Sequence, residues 1–351
     1  MITNCYDSAA LFAYIVRPGL GLSGVSSMNF HQLQYAVAIA RHGLSVTQAA
    51  SALGTSQPAI SRALKALERE LGFDLFVREG RAFSRVTPQG AKVLEYANRA
   101  LAEIDSLRAV AADLNQDNRG TLSIATTHTQ ARYVLPPVVH AFRERYPEVE
   151  LHLHQGTSEQ IGEMVSSDRV QLAIATGSEG LFPGLVLLPV YRWYRQIIVL
   201  RHHPLAKLER VTIQDLAQYP LVTYVFSFSG SSSLHTVFAR EGLTPKVALT
   251  ARDSDVIKTY VRLGLGVGIV ASVAVDPAQD SDFAIIDASH LFPIHTTWIG
   301  FRRGNLLRNF GYDFIQLFGP HLTRRLVDRA IEARDLDGQA ELFRNISLPS
   351  R

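Results

Sequence analysis

Ser45-Val46-Thr47-Gln48-Ala49-Ala50-Ser51-Ala52-Leu53-Gly54-Thr55-Ser56-Gln57-Pro58-Ala59-Ile60-Ser61-Arg62 is the stretch from which the fold can be read. Ser45 stands three positions before Gln48, the spacing of a capping box in which the hydroxyl takes an orphan amide and the amide side chain reaches back. Ala49, Ala50 and Leu53 carry a short helix to Gly54, which supplies a turn. Ser56-Gln57-Pro58 opens a second helix with a capping serine and a proline in the first turn, where a missing N–H costs nothing. Ile60, Leu64, Leu67 and Leu71 then share one face. Two short helices joined by so short a turn predict a helix-turn-helix, whose second helix lies in the DNA major groove.

The flanking sequence fits that unit. Before it, Leu33, Val37 and Ile39 with Ala36 and Ala40 recur at helical spacing over Phe30 to Arg41, ended by His42-Gly43. After it, Phe76-Val77-Arg78 and Arg85-Val86-Thr87 flank Glu79-Gly80-Arg81, the pattern of a β-hairpin wing. On this reading Ser45, Thr47, Ser56, Gln57, Pro58, Ser61, Arg62 and Lys65 form the DNA face. Glutamine suits adenine, arginine suits guanine, and hydroxyls and cations hold phosphates. Arg78, Arg81 and Arg85 reach the backbone from the wing. Met28 to Lys92 holds eight Lys and Arg against four Asp and Glu, whereas the whole chain carries only +3, so the basic excess is local.

Thr87-Pro88 caps a long helix that runs to about Leu114 before a polar break at Asn115 to Gly120. Val93, Ala97, Ala100, Ile104, Leu107, Ala111 and Leu114 repeat at alternating spacings of four and three, a heptad seam that predicts a dimer contact. Packing on the chain's own domain accounts for the seam about as well. From Gly120 strands and helices alternate in βαβαβ order: Leu122 to Ala125, Ala131 to Tyr146, Val149 to His154, Glu159 to Val165 and Gln171 to Ala175. A second set runs through Ile197 to Leu200, Leu221 to Tyr224, Ser233 to Glu241, Lys246 to Thr250, Ser254 to Leu263 and Gly268 to Ala271. Ile294 to Phe301 and Tyr312 to Phe318 follow as a strand and a helix, so the chain is expected to cross between two lobes and return. Ligands in such sheets bind at the carboxyl ends of strands. Thr126-Thr127-His128-Thr129-Gln130 occupies that position, where the amides opening a helix favour an anion. Thr176 and Phe228-Ser229-Gly230-Ser231-Ser232 end two further strands, and all three segments can converge on one cleft. Each of them, taken singly, also suits an ordinary cap or turn.

The chain's 351 residues exceed the size, about 250–300 residues, at which one core stops growing, so several domains are expected. The expected fold is α/β overall: an all-α winged helix-turn-helix at 28–87, a linker helix at 88–118, a two-lobed α/β effector domain at 119–319 and a helical tail at 320–351. Residues 1–27 read as a disordered extension or as a start site misplaced upstream of Met28. No apolar run is long enough for a membrane span, no Lys or Arg precedes Arg17 to make a signal peptide, and Cys5 is the lone cysteine. A cytoplasmic protein without membrane partners follows. Gly264-Leu265-Gly266-Val267-Gly268 follows a helix and precedes a strand, the reverse of a phosphate cradle. His152 and His154 share a strand face without further ligands, and neither they nor His202 and His203 make a metal pattern. No nucleophile elbow is present. No enzyme activity, cofactor or metal is expected. A solute-receptor-like binding protein without promoter-specific regulation is the alternative, and the lack of an export signal weighs against it.

The segments Ser45 to Ala50, Thr55 to Ser61, Leu67-Glu68, Leu71-Gly72, Leu75-Phe76 and Thr87 to Gly90 together resemble the DNA-binding domain of LysR-type transcriptional regulators. Thr126 to Tyr133, His154-Gln155-Gly156, Ala173 to Thr176, Tyr219 to Tyr224, Asp255 to Leu263 and Gly300 to Arg303 resemble the CysB-type branch, which regulates sulfur assimilation and cysteine synthesis. The resemblance implies an effector domain like a periplasmic binding protein, with Thr127, Thr129, Gln130, Thr176 and Ser229 lining an anion pocket and Trp193 nearby. Ser229 stands where threonine is usual, keeping the hydroxyl and losing a methyl. The branch implies a small anionic effector (acetylserine, sulfate, thiosulfate or adenylyl sulfate), promoter DNA and RNA polymerase as partners, and a homodimer or homotetramer.

Overall fold

The computed structural model describes residues 28–80, 82–115, 118–177, 182, 184–228, 234–333 and 335–351. Residues 1–27, Arg81 and Ser229 lie outside that set, and with them the expectations attached to each. The described residues form two compact units, divided between Leu107 and Arg108.

In the first unit three helices build the core: α1 (Phe30–Arg41), α2 (Val46–Ala52) and α3 (Gln57–Leu71). Ala36, Ile39, Ala49, Ile60, Leu64 and Leu67 are buried together, the one-faced pattern that the sequence shows. Ser45 caps α2 by accepting the Gln48 N–H, but the reciprocal half of the box at Gln48 is not made. A complete capping box forms instead at Asn29 and Gln32, ahead of α1. Ser56 caps α3 through the Ala59 N–H, and Gly72 ends it in the left-handed conformation at φ 79°. The wing is an antiparallel hairpin, β1 (Phe76–Glu79) with β2 (Ala82–Val86).

Thr87 accepts the Gly90 N–H and donates to the Asp74 carbonyl, fixing the start of α4 (Pro88–Leu114). At Gly90 this helix passes so close to the chain before β1 that a Cβ would lie 2.2 Å from the Leu75 carbonyl oxygen. The seam expected along α4 divides. Val93 packs against the core of the helix-turn-helix unit, Ala97 is buried in it beside Leu94, and Leu101 joins them. The first turns of α4 therefore pack apolar side chains within their own unit, burying Ala97 there and leaving Val93 half-buried. Ile104 is half-buried, and Ala100, Leu107, Ala111 and Leu114 are exposed.

The second unit has two five-stranded sheets. Lobe I is ordered β4-β3-β5-β12-β6, built from β3 (Gly120–Thr126), β4 (Val149–Gln155), β5 (Leu172–Thr176), β6 (Leu185–Trp193) and β12 (His295–Arg302). Lobe II is ordered β11-β7-β10-β8-β9, from β7 (Arg195–Leu200), β8 (Leu221–Tyr224), β9 (Val247–Ala251), β10 (Val267–Ala271) and β11 (Phe283–Asp287). The chain crosses from lobe I to lobe II between β6 and β7 and returns between β11 and β12. Each strand entered by a crossing, β7 or β12, runs antiparallel to both of its neighbours, while the other strands of its sheet share one direction. The expected two-lobed α/β arrangement with mainly parallel sheets is the one found.

Two strands escape the sequence reading, β6 and β11. β6 is buried along nearly its whole length, so it lacks the period-two alternation that marks a half-exposed strand, and Pro189 interrupts it. The helix read from Ala131 begins differently: a π-helical turn over Gln130–Val134 leads into α5 (Leu135–Arg145). The C-terminal tail folds back on lobe I. Leu322, Val327 and Ala330 are buried in its core, and the backbone of Arg192 bonds Pro349 and Arg351.

Candidate functional site

On the helix-turn-helix unit the burial of Ile60, Leu64 and Leu67 turns the opposite side of α3 outward. Gln57, Pro58, Arg62 and Lys65 are exposed there together with Ser56, and Ser61 is half-buried between them. Thr47 is exposed on α2 and Arg85 on the wing, whereas Ser45 is half-buried. Ser45 and Ser56 spend an acceptor on their caps and keep a hydroxyl proton for a phosphate. Arg78 is less free than the sequence suggests. Its guanidinium lies 3.9 Å from the buried Glu68 carboxylate and 4.7 Å from the Phe83 ring centre. Glu68 itself accepts the Leu75 N–H at 2.9 Å, so Arg78 helps hold the wing to α3.

In the second unit Thr127, Thr129 and Gln130 follow β3 and lead into the π-helical turn. π-helical turns recur at functional sites. Gln130 is buried and its amide is tied at both ends. Tyr191 donates to its Oε1 at 2.6 Å, and its Nε2 donates to Thr297 Oγ1 at 3.4 Å. Thr297 Oγ1 lies 3.3 Å from Thr176 Oγ1, which also accepts the Trp193 indole N–H at 3.2 Å. Thr127 Oγ1 accepts the Gln130 backbone N–H at 3.4 Å. Five side chains from four segments thus form one hydrogen-bonded chain: Tyr191, Gln130, Thr297, Thr176 and Trp193. Of the residues named from sequence, Thr127, Gln130, Thr176 and Trp193 meet here. Thr129 instead reaches the Tyr224 hydroxyl of lobe II, which also meets Ser254 at 2.6 Å and accepts the Ala271 N–H at 3.1 Å.

Sequence reasoning missed Tyr191 and Thr297. Tyr191 lies on the strand that was not recognised. Thr297 is a fully buried hydroxyl residue of β12, flanked by the less buried Thr296 and Trp298, and a polar residue at an inward position was the available signal. Beside Trp193, the His295 ring stacks at 4.5 Å between centroids. Burial, and secondarily the Arg195 guanidinium, push the His295 imidazole down to about 4. It is therefore neutral at physiological pH. One residue group further along the π-helical turn, Tyr133 joins the lobes by donating to Asp255 Oδ1 at 2.7 Å. Burial and that carboxylate hold the Tyr133 phenol above its ordinary value. Chemically, the cleft offers hydroxyls and amides, a donor set that recognises an oxyanion by hydrogen bonds, while the Trp193 indole N–H is spent on Thr176.

Two family descriptions match this chain. The bacterial regulatory helix-turn-helix protein of the lysR family matches residues 30–91, and the LysR substrate binding domain matches residues 115–323. The chain is 48% identical over 324 residues to the HTH-type transcriptional regulator CysB of Haemophilus influenzae, covering 92% of this chain and 100% of that protein. It is 40% identical over 304 residues to the HTH-type transcriptional regulator cbl of Escherichia coli K12, covering 87% and 96% of the two. The crystal structure of the cofactor-binding domain of the Cbl transcriptional regulator superposes with a TM-score of 0.58 at 41% identity, covering 61% of this chain and 94% of that one.

Proposed function

The chain belongs to the LysR family of bacterial regulatory helix-turn-helix proteins, and from that premise we propose that it switches genes of sulfur assimilation and cysteine biosynthesis in response to a small anionic metabolite. It is a DNA-binding regulator with an effector-binding domain, and family membership displaces the reading as a solute receptor alone. The sulfur role rests on the similarity to CysB and cbl proteins over nearly their whole lengths. The observation that carries the effector half is the buried chain from Tyr191 through Gln130, Thr297 and Thr176 to Trp193, which gathers polar side chains at the carboxyl ends of β3 and β5. Acetylserine, sulfate, thiosulfate and adenylyl sulfate are the candidate effectors. The effector acts by binding one arrangement of the lobes better than another, as any such switch requires.

The regulator works in the cytoplasm as a homodimer or homotetramer, with promoter DNA and RNA polymerase as partners. Ala100, Ile104, Leu107, Ala111 and Leu114 supply most of the pairing face of α4, since Ala97 is buried within the unit and Val93 packs partly against its core. A thermal-shift titration of the full-length protein with the four compounds tests the effector assignment. Stabilisation by one of them, lost in Thr129→Ala, supports it; no stabilisation by any of them removes it. Sedimentation of Leu107→Glu tests the pairing face, and an unchanged mass would locate assembly elsewhere.

A further inference from the structure

Lobe II contains a buried cation that no carboxylate among the described residues pairs with. Arg195 opens β7 just after the chain has crossed from lobe I, and only 2% of its surface is exposed. Its Nη1 donates to Ser227 Oγ at 2.7 Å, and Ser227 in turn lies 3.2 Å from Thr223 Oγ1. Its Nε is buried with no hydrogen-bond partner, and so is Nε2 of His295 nearby. Among the described residues no carboxylate forms an ion pair with Arg195. The same lobe treats its other buried cation differently, pairing Lys258 with Asp280 at 2.5 Å. An uncompensated guanidinium in a desolvated position is costly to keep and is otherwise paired or replaced.

We propose that Arg195 supplies the positive charge that meets the effector's anionic group, and so selects effectors by charge where the hydroxyls and amides of lobe I select by shape. This rests on the reading of the cleft as an effector pocket. Two connections place Arg195 at that pocket. Trp193, two residues earlier on the crossing segment, is bonded to Thr176, and His295 stacks on Trp193 while feeling the charge of Arg195. Desolvation lowers the guanidinium to about 10, which leaves it protonated at neutral pH. The neutral His295 adds no second charge. The pocket therefore presents one fixed positive charge with an unused N–H, the arrangement that a charge-assisted hydrogen bond to an oxyanion completes.

Sulfate and thiosulfate binding to the full-length protein, measured by calorimetry at constant ionic strength, tests this with Arg195→Met, Arg195→Lys and Thr129→Ala. Arg195→Met is expected to weaken binding about 10–100-fold, the worth of a hydrogen bond to a charged group. Its ligand-free melting temperature is expected to stay level or rise, because methionine removes a buried lone charge. Arg195→Lys is expected to keep a measurable part of the affinity. Unchanged affinity in Arg195→Met, with binding lost in Thr129→Ala, overturns the role of Arg195 and leaves the pocket standing. If the methionine variant loses both affinity and stability, the lysine variant decides: restored affinity supports the charge, and failure to restore it makes Arg195 a structural group. Wild-type protein that binds neither anion overturns the pocket reading and this inference together.

Discussion

The exposed side of α3 and the cleft at the carboxyl ends of β3 and β5 are both polar, yet they are built in opposite ways. Gln57, Arg62 and Lys65 project from a helix whose stability comes from Ile60, Leu64 and Leu67 on its other side. Their hydrogen bonds go to water until DNA arrives, so the module folds without consulting them. Gln130, Thr297 and Trp193 are buried and satisfy one another, so the same groups that would grip an effector also hold lobe I together. A solvent-facing recognition surface can vary in sequence at little structural cost. A buried one cannot, because each deleted partner strands another donor or acceptor away from water.

The comparison breaks first where the exposed module has its own tight joint. Gly90→Ala places a methyl against the Leu75 carbonyl and is expected to destabilise the protein by about 1–3 kcal/mol in urea denaturation, as overpacking does. A variant as stable as wild type would show that α4 can shift away from β1. Next is the buried chain. Thr297→Val removes the shared partner of Gln130 and Thr176, and a loss of about 1–3 kcal/mol is expected, accompanied by loss of effector binding. Retained stability would mean that water or a rearranged amide replaces the hydroxyl. Arg62→Ala should do the reverse. Stability is expected to stay within about 0.5 kcal/mol of wild type, as for most surface changes. Discrimination between operator and random DNA in a gel-shift titration is expected to drop by about 1–3 kcal/mol. A destabilised Arg62→Ala protein would mean that this exposed side chain holds the fold together as the buried groups do.

The same contrast explains what could be read from the chain alone. The helix-turn-helix was legible because an amphipathic helix writes its burial into a 3.6-residue period, and Ser45 and Ser56 mark where its two helices begin. Most of the strand and helix order of the effector domain was legible from its own periodicities, except for β6 and β11, the strands just before the two crossings between lobes. The cleft was legible only in part. Thr127, Gln130 and Thr176 could be placed because strand ends are recognisable, but Tyr191 and Arg195 flank a crossing where the burial pattern has no period. Thr297 meets Gln130 across 167 positions of sequence, and no local pattern encodes such a meeting. The split seam of α4 has a related cause: a run of alanine and leucine at heptad spacing fits a core within the chain as well as a second copy.

The smallest expected effect concerns acid. In the folded protein burial and Arg195 hold His295 near 4, against an ordinary imidazole value of 6.5. As pH falls below 6.5 the unfolded chain takes up a proton at this position while the folded chain does not, so proton uptake favours unfolding. The stability associated with neutral His295 is therefore complete above pH 6.5 and is lost progressively as the pH falls towards 4. His295→Asn is expected to flatten the fall in melting temperature across that window, with little change at pH 7.5. Arg195→Met is expected to flatten it less, since it removes the secondary cause and leaves burial in place. Equal slopes for wild type and His295→Asn would mean that the ring is protonated in the folded state near its ordinary value. In that case a second positive charge would stand beside Arg195 in mild acid, and anion binding should tighten as the pH falls.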